Sequence, residues 1–226
     1  MKPKRKVRIF LDFVMALLMP CLMAYFLTGE KLHKWLGLAM FLLFFLHHLL
    51  NAGWYRNMGK GRCTANRILG TITNLFLSLA LLLLVVSSVI LSGYAPWKIK
   101  GGMAFARLTH LASSHWCFIL VSFHLGIYWN RIFTAGRRQT ALRLVPLLYA
   151  VFGGYVFIRG QFASYLFLRV QFAFFDYGKS VLLVFTEYFA VMCLFVVMGH
   201  LTATLMNRLG KTAKNNRIGG QGQWNM

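Results

Sequence analysis

An all-α fold, a polytopic transmembrane helical bundle of about six spans in a single domain over residues 1–226, is the architecture this sequence predicts, on three observations. The first is composition: 58% of the 226 residues are hydrophobic and the mean hydropathy is +0.61, too apolar for a soluble domain of this size. The second is segmentation, since six apolar stretches approach or exceed the length needed to cross about 30 Å of hydrocarbon at about 1.5 Å per helical residue. The third is charge placement. Against 25 Lys and Arg stand only Asp12, Glu30, Asp176 and Glu187, a net charge of +21, and the cations flank the apolar runs instead of striping one folded face. That pattern fits contact with anionic membrane lipid and argues against a nucleic-acid partner.

The first stretch, 9–28, follows Lys2, Lys4, Arg5, Lys6 and Arg8. It has the outline of a secretory signal, but LLMPCLMAYFLTGE lacks a small-x-small cleavage site and the apolar run is long for a signal core. An uncleaved first helix is therefore expected, kinked at Pro20. Asp12 within it has Arg8 one turn earlier on the same face. The second stretch, 32–52, begins near HKWLG and ends in HHLLN; the third, 68–92, is Leu-rich and opens with Gly70; the fourth, 106–129, carries His110, His115 and His124. The fifth, 142–158, and the sixth, 180–206, form a hairpin over about 140–207, joined by an aromatic connection. The tail NNRIGGQGQWNM has the composition of a chain without fixed structure, which places a disordered cytoplasmic tail at about 208–226. Cys21, Cys63, Cys117 and Cys193 are scattered without a C-x-x-C, so no zinc site, disulfide framework or covalent haem attachment is expected. No repeat of fixed period is present.

Orientation follows from the connections. Five Lys and Arg precede the first span; Arg56, Lys60, Arg62 and Arg67 lie in the second connection; Arg131, Arg137, Arg138 and Arg143 in the fourth; Arg208, Lys211, Lys214 and Arg217 in the tail. These 17 outnumber the eight on the opposite side: Lys31, Lys34, Lys98, Lys100, Arg107, Arg159, Arg169 and Lys179. Both termini are expected to be cytoplasmic in a multi-pass protein of a bacterial inner membrane.

Histidine spacing carries the chemistry. His33 and His47 lie fourteen residues apart on the second span, and His110 and His124 fourteen apart on the fourth. Fourteen residues are nearly four helical turns, so each pair projects from one face at two depths about 21 Å apart. One span intervenes, so the two helices run parallel, with His33 and His110 near the outer end and His47 and His124 near the inner end. Two inward imidazoles at each level suit six-coordinate haem iron, which predicts a four-helix haem-binding core over about 9–130 with two haems b held by His33/His110 and His47/His124. His48, about 100° round the helix from His47, is the alternative inner ligand. His115 and His200 are read as hydrogen-bonded to neighbouring helices, with a quinone or proton-transfer role held open. Gly37, Gly70 and Gly126 permit close approach of a flat group or of another backbone. Phe41, Phe44, Phe45, Trp116, Phe118 and Phe123 are candidates to pack on a macrocycle or to serve as plain core. Lys34, Arg107, Arg56 and Arg131 are candidates for haem propionates or lipid phosphates.

The paired H-x13-H pattern resembles the di-haem membrane cytochromes b, in the layout shared by quinol-oxidising cytochrome b, the formate dehydrogenase gamma subunit and ferric-reductase-type proteins. TGEKLHKWLG at 28–37, HHLLN at 47–51 and HLGIYW at 124–129 are similar to a family of small bacterial cytochrome-b-like proteins, with the likeness extending to GQFASYLFLRVQFAFFDYGKS at 160–180. The resemblance implies axial-ligand roles for His33, His47, His110 and His124, and implies no substrate.

Residues 159–179 hold Phe162, Tyr165, Phe167, Phe172, Phe174, Phe175 and Tyr177, a density that fits an interfacial element over the outer haem or an aromatic belt. Glu187, about two turns into the sixth span, is costly there unless protonated or paired, and is the candidate acceptor for a proton released by a quinol. No G-x-G-x-x-G after a strand and no iron–sulfur cysteine run occurs, so electrons are expected to pass through menaquinone or ubiquinone from the quinone pool and a redox subunit or soluble carrier on the outer face. The function expected is a transmembrane electron relay, an electron-transfer component of an oxidoreductase. A ferric or other metal reductase using the same haems, and a haem-free small transporter or assembly factor, are the alternatives.

Overall fold

The computed structural model describes residues 3–60, 63–92, 102–129 and 140–222, with side chains at 4–60, 63–92, 102–129 and 147–210. Among these the chain forms eight helices and no strand: α1 (Pro3–Met23), α2 (Tyr25–Leu50), α3 (Ala52–Arg56), α4 (Ala65–Leu91), α5 (Gly102–Ile127), α6 (Thr140–Arg159), α7 (Phe162–Leu166) and α8 (Val181–Gly222). Each apolar stretch of the sequence falls on a helix. The segments Tyr25–Leu50, Ala65–Leu91 and Val181–Gly210 are each long and apolar enough to cross a membrane, and Leu147–Arg159 is a shorter apolar helix. The chain is accordingly a helical membrane protein. α1 falls short of that standard because Lys4, Arg5, Lys6, Arg8 and Asp12 occupy its first half. The polar run of α5, from Thr109 through Ser113, Ser114 and His115 to Ser122 and His124, lowers its apolarity. Arg62, Lys98, Lys100, Arg131, Arg137 and Arg138, and the side chains of Arg143, Lys211, Lys214 and Arg217, lie outside the described residues.

Boundaries shift in two places. The turn between the first two spans is tighter than the sequence predicts: α1 ends at Met23, one residue separates it from α2, and Gly29 inside α2 has φ 68° and ψ 170°. That backbone conformation costs glycine nothing and breaks the helix without leaving it. Pro20 lies in the last turn of α1, where its carbonyl accepts from the Ala24 amide. At the far end, α8 continues to Gly222, where the sequence reading ended the last span near 206 and expected a tail without structure. α4 begins where a polar residue can cap it, with the Thr64 hydroxyl accepting from the Arg67 amide.

The helices pack in two unequal parts. α4 lies along α5, α5 along α8, and α8 along α6, while α1 pairs with α2 as a hairpin and touches α5 and α8 only lightly. The buried core joins Phe118 and Ile119 of α5, Val156 of α6, Phe162 and Leu166 of α7, and Val191, Met192 and Val196 of α8. Glycines set its tightness. A Cβ on Gly126 would lie 2.1 Å from the Val196 carbonyl oxygen, one on Gly199 2.2 Å from that of Phe123, and one on Gly153 2.1 Å from that of Ala190. Only a residue without a side chain lets these backbones approach so closely. α2 presents the opposite case, with no buried residue along its length.

Candidate functional site: two histidine levels

At the level that the sequence expects to be the outer one, His33 of α2 faces His110 of α5, with ring centroids 6.2 Å apart and planes at 67°. Their helices do not pack extensively, so the rings approach across a seam between the α1–α2 hairpin and α5. The Ser88 hydroxyl of α4 donates to the Leu84 carbonyl at 2.7 Å, which leaves its oxygen to accept from His110 Nδ1 at 3.2 Å. This network puts the proton of neutral His110 on Nδ1 and a lone pair on Nε2. His33 Nδ1 is buried with no hydrogen-bond partner, and the Tyr25 ring meets His33 edge-on at 5.1 Å. Over these rings lies the aromatic connection after α7: Phe175 stacks on Phe26 at 5.3 Å and leans on Tyr25, and Tyr177 meets Phe26 edge-on. Within 159–179, Phe175 and Tyr177 reach the start of α2, where Tyr25 links them to His33, while Phe172, Phe174 and Tyr177 stay largely exposed.

At the inner level, His47 Nδ1 donates to Asp12 Oδ1 at 2.7 Å. The sequence pairs Asp12 with Arg8; in the fold Arg8 reaches the Leu50 carbonyl instead, and Asp12 crosses to α2. His124 lies within electrostatic range of His47, Asp12 and His48. His124 Nδ1 is buried and unpartnered, and Tyr128 lies 4.8 Å from its ring.

His48 has other company. Its ring packs edge-on against Phe44 at 4.0 Å, and Tyr55 of α3 hydrogen-bonds its Nδ1. Burial pushes the Tyr55 phenol above its ordinary pKa, so it stays protonated beside His48. His47, whose Nδ1 donates to the Asp12 carboxylate, keeps an Nε2 lone pair, which suits it as a metal ligand.

The remaining candidates divide between this seam and the core. His115 turns toward α7, stacking on Tyr165 at 4.7 Å and donating from Nδ1 to the Leu111 carbonyl of its own helix, where a bond to a neighbouring helix was expected. The His200 backbone lies against Gly126. Trp116 and Phe118 face the core, with Trp116 Nε1 donating to the Leu166 carbonyl at 3.0 Å, and Phe41 and Phe45 are exposed on α2. Gly126 serves helix packing and Gly70 accommodates the Tyr128 hydroxyl, whereas Gly37 faces open space. Lys34 pairs with Glu30 at 2.6 Å. Glu187 accepts from Lys179 through both carboxylate oxygens at 2.8 and 2.7 Å, the pairing that a carboxylate at this depth requires.

The centroid separation of the outer pair is compatible with a metal between its rings. Two nitrogen–metal bonds of about 2 Å and two imidazole radii of about 1.1 Å bring coaxial rings to about 6 Å between centroids, close to the separation of His33 and His110. No cluster of three or more His, Cys, Asp or Glu that could hold a metal ion occurs among the described residues. Ser88 escaped the sequence reading because it reaches His110 from another helix, and Asp12 was paired with Arg8 because His47 lies on another helix, whereas Tyr25 meets His33 from the start of the same helix. Comparison with protein-family models, curated proteins and solved structures finds no match.

Proposed function

We propose that the chain is a di-haem b-type cytochrome of the bacterial inner membrane, relaying electrons between the quinone pool and a redox partner on the outer face. In this reading α1, α2, α4, α5, α6 and α8 are six spans, both termini are cytoplasmic, and the haem-binding core comprises α1, α2, α4 and α5. The observation that carries it is the His33–His110 geometry: two imidazoles from helices that barely touch, separated by the distance a shared iron needs.

Haem bound at these levels would supply one-electron chemistry at two depths. His33 and His110 would hold the outer group, His47 and His124 the inner one. Asp12 and Ser88 fix the Nδ1 protons of His47 and His110 and so keep the Nε2 lone pairs for metal. Gly37, facing open space on α2 one turn after His33, leaves room beside the outer level for a flat group. Tyr25 beside His33, with Phe26 and Phe175 stacked next to it, offers an apolar surface on which a quinone ring can stack.

A reduced-minus-oxidised spectrum with a pyridine haemochrome assay on purified protein tests the proposal. The expected result is about two b haems per chain. Well-folded protein with haem content near zero ends it.

A further inference from the structure

The α4 helix carries no histidine, yet it repeats the interval on which the histidines are set. Ser88 and Asn74 lie fourteen residues apart, as His110 and His124 do on α5. The two helices are antiparallel neighbours, and two contacts fix their register: Ser88 meets His110, and Gly70 takes the hydroxyl of Tyr128. With 88 opposite 110 and 70 opposite 128, residue 74 stands opposite 124.

At the outer level this register has produced a hydrogen bond, from His110 Nδ1 to Ser88. At the inner level it brings two unsatisfied groups to the same depth. Asn74 Oδ1 is buried with no hydrogen-bond partner, and so is His124 Nδ1. One is an acceptor and the other a donor in the tautomer that leaves Nε2 free. A buried polar atom left unpaired costs about 1–3 kcal/mol, so the two groups have reason to meet. Thr73, the neighbouring polar residue, donates its hydroxyl to the Leu69 carbonyl at 2.9 Å and keeps an acceptor oxygen as Ser88 does, so it is the rival that the test below has to separate from Asn74.

We infer that Asn74 is the positioning residue of His124, as Ser88 is of His110, so that α4 orients the α5 ligand at each of the two levels. This rests on the di-haem reading. Asn74 touches no iron; it acts through His124, fixing the ring's tautomer and direction and strengthening its Nε2 as a donor.

The test uses the full chain purified in detergent and reads the haem-to-protein ratio, the low-temperature electron paramagnetic resonance signals of the oxidised haems and the midpoint potential of each. His47→Ala, which removes the inner haem, identifies the inner signal. Asn74→Leu is expected to weaken retention of the inner haem by roughly ten- to a hundredfold and to move the inner signal alone. Asn74→Gln, which keeps an amide acceptor, restores it in part. Ser88→Ala moves only the outer signal, and Ser88→Thr restores that. If Asn74→Leu loses its helical circular dichroism, Asn74→Ala removes the amide without adding bulk and is read in its place. The inference is overturned if both signals and the haem ratio of the folded Asn74 variant match the wild type, or if Thr73→Val shifts the inner haem and the Asn74 variant does not. Wild-type protein without haem overturns the di-haem reading and this assignment together, and is recognised before any variant is made.

Discussion

One side of α5 meets α8 backbone to backbone, through Gly126 and Gly199, and contributes Phe118 and Ile119 to the buried core. Toward the α1–α2 hairpin it presents His110 and His124, and the helix across that seam buries none of its residues. The first side is closed by small residues that exclude everything but another backbone. The second is held apart, with rings reaching across it and buried nitrogens left without partners at His33 and His124. Polar atoms left unsatisfied inside a helical membrane protein are expensive, and two of them, His33 Nδ1 and His124 Nδ1, lie along this seam.

Gly126→Leu should have the largest effect. The new side chain starts inside the Val196 backbone, so at least about 3 kcal/mol of stability is lost, read as a collapse of the thermal transition in detergent. A variant with wild-type thermal stability would show that the α5–α8 contact is looser than described. On the open side, His110→Ala should take haem from about two per chain to about one while the helices persist, because the core does not pass through that side chain. Unchanged haem content would remove His110 from the ligand set. Lys179→Ala leaves Glu187 partly buried without its cation and should cost about 1–2 kcal/mol, with Lys179→Arg retaining most of the stability. Smallest is Gly37→Ala. With nothing within 4 Å of the added methyl, it should change folding stability by less than about 1 kcal/mol, in the stabilising direction, since alanine is the better helix former. A large loss there would mean that α2 is packed after all.

Much of this was legible beforehand. The fourteen-residue intervals place His33 with His110 because helical periodicity and chain direction together fix depth, and the rings do meet there. The aromatic density of 159–179 pointed to a cover, and Phe175 and Tyr177 lie over the start of α2. Asp12 was misjudged for a physical reason. Arg8, one turn away, is the neighbour that periodicity can see, and His47, thirty-five residues on, is the neighbour that packing supplies. Trp116 and Phe118 were equally legible as aromatic residues near a histidine helix, but their direction around α5 depended on α7 and α8.

What the amino-acid sequence determined alone is therefore axial: helices of membrane length and apolarity, their order, the depth of each histidine and the excess of positive charge. Only the tertiary structure decided the azimuth, namely that α5 turns Phe118 to α8 and His110 to α2, that Asp12 crosses to His47, and that α2 stands away. Periodicity records where a side chain lies along and around its own helix. Which helix it then confronts depends on how two surfaces fit, a property of the pair that neither stretch of sequence carries by itself.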